Sequence, residues 1–424
     1  MLRLLYLSDI HFREPECLNS RMDVASKDRK LLIDDLEEII QATGKSIDAI
    51  VVTGDITFKA NPVEFDTAEK WLQEIADKNG IDKSKIFVVP GNHDVDRTIA
   101  DHAVNTAFRD GINRLEEPAK HQRFLDTLKD EKTQKLILEP MENYNQFAKQ
   151  YDCNIELPNK PFWTHYLNIN DKYQLCLNGL TTTFFSSSAD ELNSLYLGES
   201  QAYIEKKKGI VNLAMFHHPK DWLGDGDEFD DLLADNVQIW LSGHKHRQRY
   251  TTDGRYLDLP SAAVSPSVWE PGLPGYNIID ISVSEDVEHA NLELSIMMRM
   301  LQGTPKQYVA KKTHEREDLL IHTIKIPKAN DLIPKHINLS PKPNTGNSSS
   351  ENVCGDTSDF KNLASRIWDL QMSKRMSIFK ALKLEVDCNP LTNEEGFIRQ
   401  ALEIIKNNNL LGELESLIIE QEKA

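Results

Sequence analysis

Cysteine is scarce in this sequence, and its placement argues against two common structural roles. The chain has five cysteines, which are far apart and include no Cys-x-x-Cys pair: Cys17, Cys153, Cys176, Cys354 and Cys388. A disulfide framework needs an even, regularly spaced set and a zinc ribbon needs close pairs, so neither is expected. Scattered thiols of this kind are typical of a protein in a reducing compartment.

Long apolar runs are also missing. The apolar stretch at residues 1–7 is interrupted only by Arg3, and the polar residues Ser8 and Asp9 follow at once. This stretch is too short for the apolar region of a signal peptide, and no small-residue cleavage site follows it. No run of about 18 apolar residues occurs, so we expect no membrane-spanning helix and a cytoplasmic protein.

Positively charged side chains are fewer than negatively charged ones. The chain has 49 Lys and Arg against 67 Asp and Glu, which gives a formal net charge of −18. Such a charge does not attract polyanions, so binding to a long duplex would need a local basic patch. The two short basic runs, 206–208 and 311–312, fit a solvated surface better than a nucleic-acid site.

The 424 residues are enough for one large α/β domain and a smaller one. Apolar residues make up 40% and charged residues 27%, which is typical of a globular protein. Apolar runs at 2–7, 49–53 and 86–89 predict buried strands, and helical spacing at 27–43 and 65–76 predicts helices between them. This alternation predicts a sheet with helical crossovers.

The rest of the chain divides into further parts. Residues 97–152 are charged and periodic, which predicts an inserted helical segment, and the large domain is expected to cover 1–334. Residues 335–358 are rich in Pro, Asn, Ser and Gly, which is typical of a flexible linker, and 359–424 predict a separate small all-α domain. Strands are predicted after the insertion at 162–169, 173–180, 211–216, 237–241, 256–259, 276–283, 292–300 and 319–326.

Five short polar motifs each follow an apolar strand. Open α/β sheets place ligands at the carboxyl ends of their strands, so we expect the five motifs to meet at one sheet edge. Taken singly, Asp-x-His is a weak signal and Gly-Asn-His-Asp a moderately specific one, because such short sequences also occur in turns and strand caps; the combination carries the prediction. In chain order they are Asp9-x-His11, Gly54-Asp55, Gly91-Asn92-His93-Asp94, His217-His218-Pro219 and Gly243-His244-x-His246.

The residue types in these motifs suit two divalent metal ions. Two ions about 3.5–4 Å apart offset the charge of a phosphate ester, activate water and align the attacking and leaving oxygens. Residues two apart, as in Asp9-x-His11 and His244-x-His246, point the same way and can hold one ion from one side. Three glycines permit the sharp backbone turns beside them: Gly54, Gly91 and Gly243.

In this order the five motifs resemble the calcineurin-like metallophosphoesterase superfamily, over roughly residues 1–300. The resemblance implies a four-layer αββα sandwich, with the site at one edge. It also implies hydrolysis of a phosphate ester by a hydroxide that bridges two metals.

The resemblance assigns a role to each motif residue. His93 would contact the phosphate and protonate the leaving oxygen, and Asp94 would orient His93. The seven metal ligands would be Asp9, His11 and His246 for the first ion, Asn92, His217 and His244 for the second, and Asp55 for both.

The identity of the metals stays open on the residues alone. Nitrogen and oxygen donors without thiolate suit Mn, Fe, Zn or Ni. Mn²⁺ is expected, because it is the usual activator among bacterial-type members of the resembled superfamily.

Three substrate classes are considered. The sequences around Phe12 and Pro219 are most similar to class III cyclic-nucleotide phosphodiesterases, which favours a phosphodiester. A DNA nuclease like the repair exonuclease branch would use the same metals, but the acidic charge disfavours it. A phosphoprotein phosphatase would grip a monoester dianion with arginines, and four lie near the motifs: Arg13, Arg97, Arg247 and Arg249.

Two further hypotheses concern the protein as a whole. A non-catalytic scaffold is disfavoured, because every ligand position and His93 are filled. Residues 359–424 weakly resemble the small adaptor domains of bacterial conflict systems, which would make the enzyme an effector recruited by a protein partner. A helical accessory or dimerisation domain is the simpler interpretation.

Three features near the motifs are interpreted without a ligand role. The acidic residues 224–228 lack the ligand spacing of an EF-hand and predict a loop. Tyr276 is interpreted as a core residue rather than an aromatic that stacks on substrate. His218 neighbours a metal ligand, and both a substrate contact and a structural position are considered for it.

Overall fold

The chain divides into two compact units, Met1–His336 and Ile337–Ala424. The structure, a computed structural model, describes residues 1–116, 119–266 and 272–329, together with twelve positions between 367 and 418. The predicted linker, 335–358, and most of the predicted helical module, 359–424, lie outside the described residues, so both stay predictions. The second unit's described buried apolar residues are Ile367, Ile378, Phe379, Ala401, Leu402, Ile405, Leu414 and Ile418.

Thirteen strands are described in the first unit. They are β1 (Leu2–Leu7), β2 (Ala49–Val52), β3 (Ile86–Val88), β4 (Trp163–Asn168), β5 (Gln174–Gly179), β6 (Ile210–Met215), β7 (Ile239–Ser242), β8 (Thr251–Thr252), β9 (Leu257–Pro260), β10 (Gly275–Glu285), β11 (Ala290–Gln302), β12 (Gln307–Ala310) and β13 (Leu320–Ile326).

Nine α-helices are described in the same unit. They are α1 (Ser26–Thr43), α2 (Pro62–Asn79), α3 (Arg97–Ala100), α4 (Ala103–Asn113), α5 (Ala119–Lys129), α6 (Glu131–Leu138), α7 (Glu142–Ala148), α8 (Glu199–Ala202) and α9 (Gly226–Asn236). Helices α3 to α7 occupy the segment that the sequence predicts to be a helical insertion. None of the helices in the described part of the chain is both long and apolar enough to cross a membrane.

The strands form two mixed sheets. The first has the order β12-β11-β10-β1-β2-β3, with β13 also paired with β11, and the second has the order β4-β5-β6-β7-β9-β8. Strands β1, β2 and β3 run parallel to one another, and so do β5, β6, β7 and β9. The parallel strands of each sheet therefore end at a common edge.

The two sheets share one apolar core. Leu4 of β1 and Leu241 of β7 belong to the same buried cluster, which also contains Leu32 of α1 and Leu72 of α2. The hydroxyl of Tyr6 donates to the Ser242 carbonyl oxygen at 2.6 Å and so links the sheets directly. All six residues of β1 are buried, as expected for a strand that is covered on both faces.

A second apolar cluster fixes α9 against the second sheet. It joins Phe229 and Leu233 of α9 to Phe216 and Trp240. The predicted mixed α/β fold with two sheets is thus confirmed, with helices packed on both.

The acidic stretch at 224–228 is predicted from its sequence to be a loop, and this prediction was wrong. Helix α9 begins within it, at Gly226. Phe229 and Leu233 are spaced four residues apart and bury the same helix face, which outweighs the local preference of the Gly and Asp residues for a turn. The short strands β8 and β12 were also not predicted, because neither contains a long enough apolar pattern.

Tyr276 lies in the core, as predicted. Its buried hydroxyl donates to Asp35 Oδ2 at 2.5 Å, and Arg299 Nε donates to the same oxygen at 2.9 Å. The neighbouring ring of Tyr308, at 5.3 Å between centroids, has a buried hydroxyl without a hydrogen-bond partner among the described residues. The two tyrosines therefore form a matched pair for a stability measurement.

We expect Tyr276→Phe to lower the free energy of unfolding by about 1–2 kcal/mol, because it removes one hydrogen bond to a buried carboxylate. The control Tyr308→Phe removes a hydroxyl that has no partner in the part of the chain that the structure describes, and it should lower the free energy of unfolding less or raise it. Urea denaturation of both variants measures the difference. An equal decrease in the free energy of unfolding in the two variants would contradict this account of the hydrogen bonds around Asp35.

Candidate metal centre

The five predicted motifs meet at the shared edge of the two sheets. They follow the carboxyl ends of β1, β2 and β3 in the first sheet and of β6 and β7 in the second. Backbone hydrogen bonds join adjacent motifs: Asp9 N donates to the Gly54 carbonyl at 3.0 Å, and Gly243 N donates to the His217 carbonyl at 3.1 Å. The predicted convergence at one edge is present in the structure.

The first cluster of candidate ligands contains Asp9, His11, Asp55 and His246. Their donor atoms all lie within 4.8 Å of one another. His246 Nε2 is 3.1 Å from Asp9 Oδ1 and 3.3 Å from His11 Nε2. These four residues could hold one metal ion.

The second cluster is built around Asn92. Its Oδ1 lies 3.0 Å from His217 Nε2 and 3.2 Å from His244 Nδ1. His217, His218 and His244 also form a group whose donor atoms lie within 4.8 Å. An amide oxygen and two imidazoles converge here and could hold a second ion.

Asp55 lies between the two clusters. Its Oδ2 is 3.8 Å from His11 Nε2 in the first cluster and 3.4 Å from His217 Nε2 in the second. Its Oδ1 accepts a hydrogen bond from the backbone N–H of His93 at 2.8 Å. One carboxylate oxygen therefore faces both clusters, which is the position required of a bridging ligand.

The donor set fits two divalent cations. Carboxylate, imidazole and amide donors 3–4 Å apart match the spacing of ligands around ions bound at about 2.0–2.2 Å. Asp9 is fully buried and Asp55 is 1% exposed. Two buried carboxylates require compensating positive charge, and metal ions would supply it.

The imidazoles in the centre differ in charge when no metal is bound. Burial lowers the pKa of His11 to about 4 and that of His244 to about 3, so both are neutral at pH 7. Burial also opposes the charged form of His217, but Asp55, Asp9 and the Thr53 carbonyl together outweigh it and raise the pKa to about 9. His217 thus carries a proton that a metal ion would have to displace.

The two carboxyl groups are ionised. Burial alone would raise the pKa of Asp9, but His246 and His217 together outweigh it and hold the pKa at about 2. Burial would raise the pKa of Asp55 as well, and the adjacent histidines, His217 first among them, lower it well below its usual value. Ionised carboxylates and mostly neutral imidazoles are the states in which these groups bind metals.

Five of the seven candidate ligands have left-handed backbones. The structure describes nine non-glycine residues with positive φ, and these five have φ between 50° and 67°: Asp9, His11, Asp55, His244 and His246. Such a conformation costs a residue with a Cβ roughly 1–2 kcal/mol. Strain of this kind concentrates at functional sites, where the surrounding fold imposes it.

The glycines beside the ligands allow close backbone packing. Gly54 has φ 85°, and a Cβ there would lie 2.5 Å from Gly91 N and 2.8 Å from His217 Nδ1. A Cβ at Gly91 would lie 2.2 Å from both Asp55 N and Asp55 Oδ1. Only glycine fits at these two positions.

Thr53 and Ser8, which the sequence analysis did not single out, orient ligands of both clusters. The Thr53 carbonyl accepts a hydrogen bond from His217 Nδ1 at 2.7 Å. The Thr53 hydroxyl donates to Ser8 Oγ at 2.8 Å, and Ser8 Oγ donates to Asp9 Oδ2 at 2.5 Å. Both residues are the last polar positions before a motif, which is the only sequence signal that they give.

The carboxylate of Asp94 forms no hydrogen bond with the side chain of His93, contrary to a second expectation. The resemblance implies that this carboxylate orients His93, but its oxygens accept hydrogen bonds from Gly91 N at 2.9 Å, Ile56 N at 3.1 Å and Thr57 N at 2.8 Å. The prediction was wrong because Asp94 lies in a tight turn, and its side chain points back toward the turn after β2. Burial, and then Asp55, raise the pKa of Asp94 to about 7.

His93 lies beside the first cluster and is held by Phe58. Its Nδ1 donates to the Phe58 carbonyl at 2.8 Å, and the two rings stack with centroids 5.0 Å apart. The ring edge also meets His11, with centroids 5.0 Å apart. The third motif predicts His93 at the site, whereas no sequence pattern indicates Phe58.

His218 lies beside the second cluster. It is fully buried, its Nδ1 is 3.0 Å from Thr182 Oγ1, and its Nε2 has no hydrogen-bond partner among the described residues. Its ring centroid is 4.7 Å from that of His244. A contact between His218 and a substrate stays a prediction.

The turn at Gly91 gives a direct test of the centre. We expect Gly91→Ala to abolish tight metal binding, because the added Cβ would displace Asp55. Gly111→Ala is the control: Gly111 lies in α4 with nothing within 4 Å of an added Cβ, and the change should stabilise the helix by about 0.5–1 kcal/mol. Isothermal titration with Mn²⁺ measures both, and normal binding by the Gly91 variant would refute the packing argument.

The raised pKa of His217 predicts proton release. In the metal-free protein this imidazole is protonated below about pH 9, and a metal ion binds only its neutral form. We expect about one proton to be released per ion at the second cluster at pH 7, and the affinity to rise roughly tenfold per pH unit up to about pH 9. Titration in two buffers of different ionisation enthalpy measures the released proton. A pH-independent affinity would contradict the prediction.

Comparison with known proteins gives a relative in sequence and several low-identity matches among solved structures. It is 25% identical over 300 residues to the uncharacterized metallophosphoesterase-like protein YydB of Bacillus subtilis (strain 168), across 66% of this chain and 57% of YydB. The chain therefore spans less than two thirds of that relative's length.

Among solved structures, GAP50, the anchor in the inner membrane complex of Plasmodium, matches 78% of this chain and 91% of its own. The identity is 13% and the TM-score 0.38. A putative 5'-nucleotidase from Staphylococcus aureus matches 79% of this chain and 56% of its own, with 12% identity and a TM-score of 0.34.

The family model described as calcineurin-like phosphoesterase matches residues 2–248, which is more than half of the chain. This range contains all five motifs, from Asp9 to His246. The chain therefore belongs to the calcineurin-like phosphoesterase family.

Proposed function

We propose that this metal-dependent phosphoesterase hydrolyses phosphodiesters with two divalent ions, preferably Mn²⁺. The observation that carries the proposal is the position of Asp55 Oδ2, which faces one histidine of each cluster. When bound, two such ions offset the negative charge of the ester and activate water. Asp9, His11 and His246 would hold one ion, and Asn92, His217 and His244 the other.

The protein's part in this chemistry is to hold its ligands in place before substrate arrives. Thr53 and Ser8 fix the orientation of His217 and Asp9 through the hydrogen bonds described above. The left-handed turns set the carboxylate of Asp55 between the clusters. Ligands fixed in this way need little rearrangement during reaction, which favours electrostatic stabilisation of the transition state.

His93 would protonate the leaving oxygen. A carbonyl oxygen can only accept, so the contact with Phe58 places a proton on His93 Nδ1. The other nitrogen, Nε2, is then the atom that can give a proton to substrate when the ring is an imidazolium. General acid catalysis of this kind contributes typically 10²–10⁴-fold.

The cationic side chains near the motifs favour a diester over a monoester. A diester carries one negative charge, whereas a monoester dianion carries two and is usually gripped by arginines that are free to bind it. Two cations near the motifs already have partners: Lys245 pairs with Asp221, and Arg13 lies over the ring of Phe58. We therefore place the phosphodiester first among the substrate classes.

The compartment is also a proposal. Cys17, Cys153 and Cys176 are free thiols in the structure. Free, scattered thiols suit a reducing compartment, and we propose the cytoplasm.

We expect faster hydrolysis of bis-p-nitrophenyl phosphate than of p-nitrophenyl phosphate with Mn²⁺. The Asp55→Ala variant should hydrolyse the diester at least a hundredfold more slowly, because the substitution removes the ligand that faces both clusters. The control Asp171→Ala changes an exposed carboxylate in a surface turn and should leave turnover unchanged. Release of p-nitrophenolate measures all three proteins.

The outcomes separate the substrate classes. Preference for the monoester would replace the phosphodiesterase proposal with a phosphatase. Full activity in Asp55→Ala would remove the dinuclear centre from the mechanism. Metal binding without turnover of either ester would favour a scaffold or an effector that awaits a partner.

A further inference from the structure

We propose that Phe58 is the positioning residue for His93, holding the imidazole with its carbonyl and its ring while Arg13 packs over that ring. The proposal rests on the proposed role of His93 as the acid for the leaving group. It assigns to an aromatic residue the orienting task that the sequence analysis gave to Asp94.

Two contacts between Phe58 and His93 fix the imidazole. The hydrogen bond from Nδ1 to the Phe58 carbonyl, at 2.8 Å, sets the rotation of the ring. The stacked arrangement, with 26° between the planes, sets its tilt. The backbone of His93 is fixed separately, by donation of its N–H to Asp55 Oδ1. Together these contacts leave the imidazole one orientation relative to the bridging carboxylate.

The backbone of Phe58 is itself held firmly. Its N–H donates to the Phe12 carbonyl at 2.9 Å and to Glu64 Oε2 at 3.1 Å. Glu64 is fully buried and also accepts hydrogen bonds from the backbone of Lys59 at 2.8 Å and Glu14 at 2.9 Å. A buried carboxylate with several backbone donors makes this turn a rigid support for the acceptor carbonyl.

Arg13 and His11 complete the surroundings of the stacked pair. The guanidinium carbon of Arg13 lies 3.5 Å from the centroid of the Phe58 ring, a cation–π distance that keeps this half-buried ring covered. His11, a candidate ligand, meets His93 edge-on at 5.0 Å and Phe58 at 6.2 Å. The residues that orient His93 are therefore in direct contact with a candidate ligand of the first cluster.

Asp94 cannot perform this task in the structure. Its two oxygens are occupied by the backbone donors of Gly91, Ile56 and Thr57 and by the Thr57 hydroxyl. The hydrogen-bond acceptor at His93 Nδ1 is therefore a neutral carbonyl, and the ring contact supplies the remaining constraint.

The test uses two diesters that differ in how much they need an acid. Methyl p-nitrophenyl phosphate has a good leaving group that departs without a proton, whereas methyl phenyl phosphate has a poor one that needs protonation. We expect Phe58→Leu, which keeps the carbonyl but loses the ring, to lower kcat for the phenyl ester about tenfold. Its KM for both esters, and its kcat for the nitrophenyl ester, should stay within about twofold of wild type.

Three further variants isolate the cause. Phe58→Tyr restores a stacking ring and should return the phenyl ester kcat to near the wild-type value. His93→Ala should show a larger loss, again confined to the phenyl ester, and adding Phe58→Leu to it should change nothing further, because both act on one interaction. Phe108→Leu, another half-buried phenylalanine, lies in α4 and should leave both esters unaffected.

An NMR measurement that does not depend on catalysis tests the position of the His93 imidazole directly. In ¹⁵N-labelled protein loaded with Zn²⁺, we expect a protected Nδ1–H signal from His93 in wild type and in Phe58→Tyr. The signal should be lost to solvent exchange in Phe58→Leu, while that variant still binds two ions.

Equal slowing of both esters, failure of the tyrosine variant to restore the rate, or an unchanged Nδ1–H signal in Phe58→Leu would overturn the proposal. Loss of metal from Phe58→Leu would also overturn it, since the residue would then support the centre as a whole. If wild type cleaves neither diester, the proposed function fails, and the Nδ1–H signal alone decides whether Phe58 positions His93.

Discussion

The carboxylate of Asp55 is the group on which the rest of the centre depends. One of its oxygens faces a histidine of each cluster, and the other binds the backbone of His93. The same side chain thus spaces the two candidate metal positions and places the proposed acid beside them. It is held there because Gly54 and Gly91 allow two turns to pack against it more closely than any Cβ would permit.

The fold has to support a strained centre. Five candidate ligands in the left-handed region cost together roughly 5–10 kcal/mol, which is comparable to the whole stability of a typical domain. The strands that carry them are buried on both faces, and one apolar core joins the two sheets behind the motifs. The large core therefore stabilises a set of turns that would not form alone.

The sequence predicts where the motifs meet but not how they are built. Apolar runs ending in Asp9, Asp55 and Asn92 are enough to predict parallel strands whose ends share an edge. Residue type gives only a weak signal for the left-handed conformation of the ligands, because aspartate and histidine are enriched there but adopt it at only a small fraction of their positions.

Contacts that depend on the geometry of a turn could not be predicted from the sequence either. The side chain of Asp94 reaches back to Thr57, 37 positions earlier, and the carbonyl of Phe58 accepts from His93 in its place. A backbone acceptor has no signature in a sequence. The adjacency of His93 and Asp94 suggested a direct pair, and the tight turn that separates their side chains becomes visible only in three dimensions.

The most direct measurement for the central claim is anomalous diffraction from crystals of the full chain grown with Mn²⁺. The account predicts two peaks about 3.5–4 Å apart, one on either side of Asp55 Oδ2, with Asn92 at one of them. A single peak, or two peaks that do not share the Asp55 carboxylate, would contradict it.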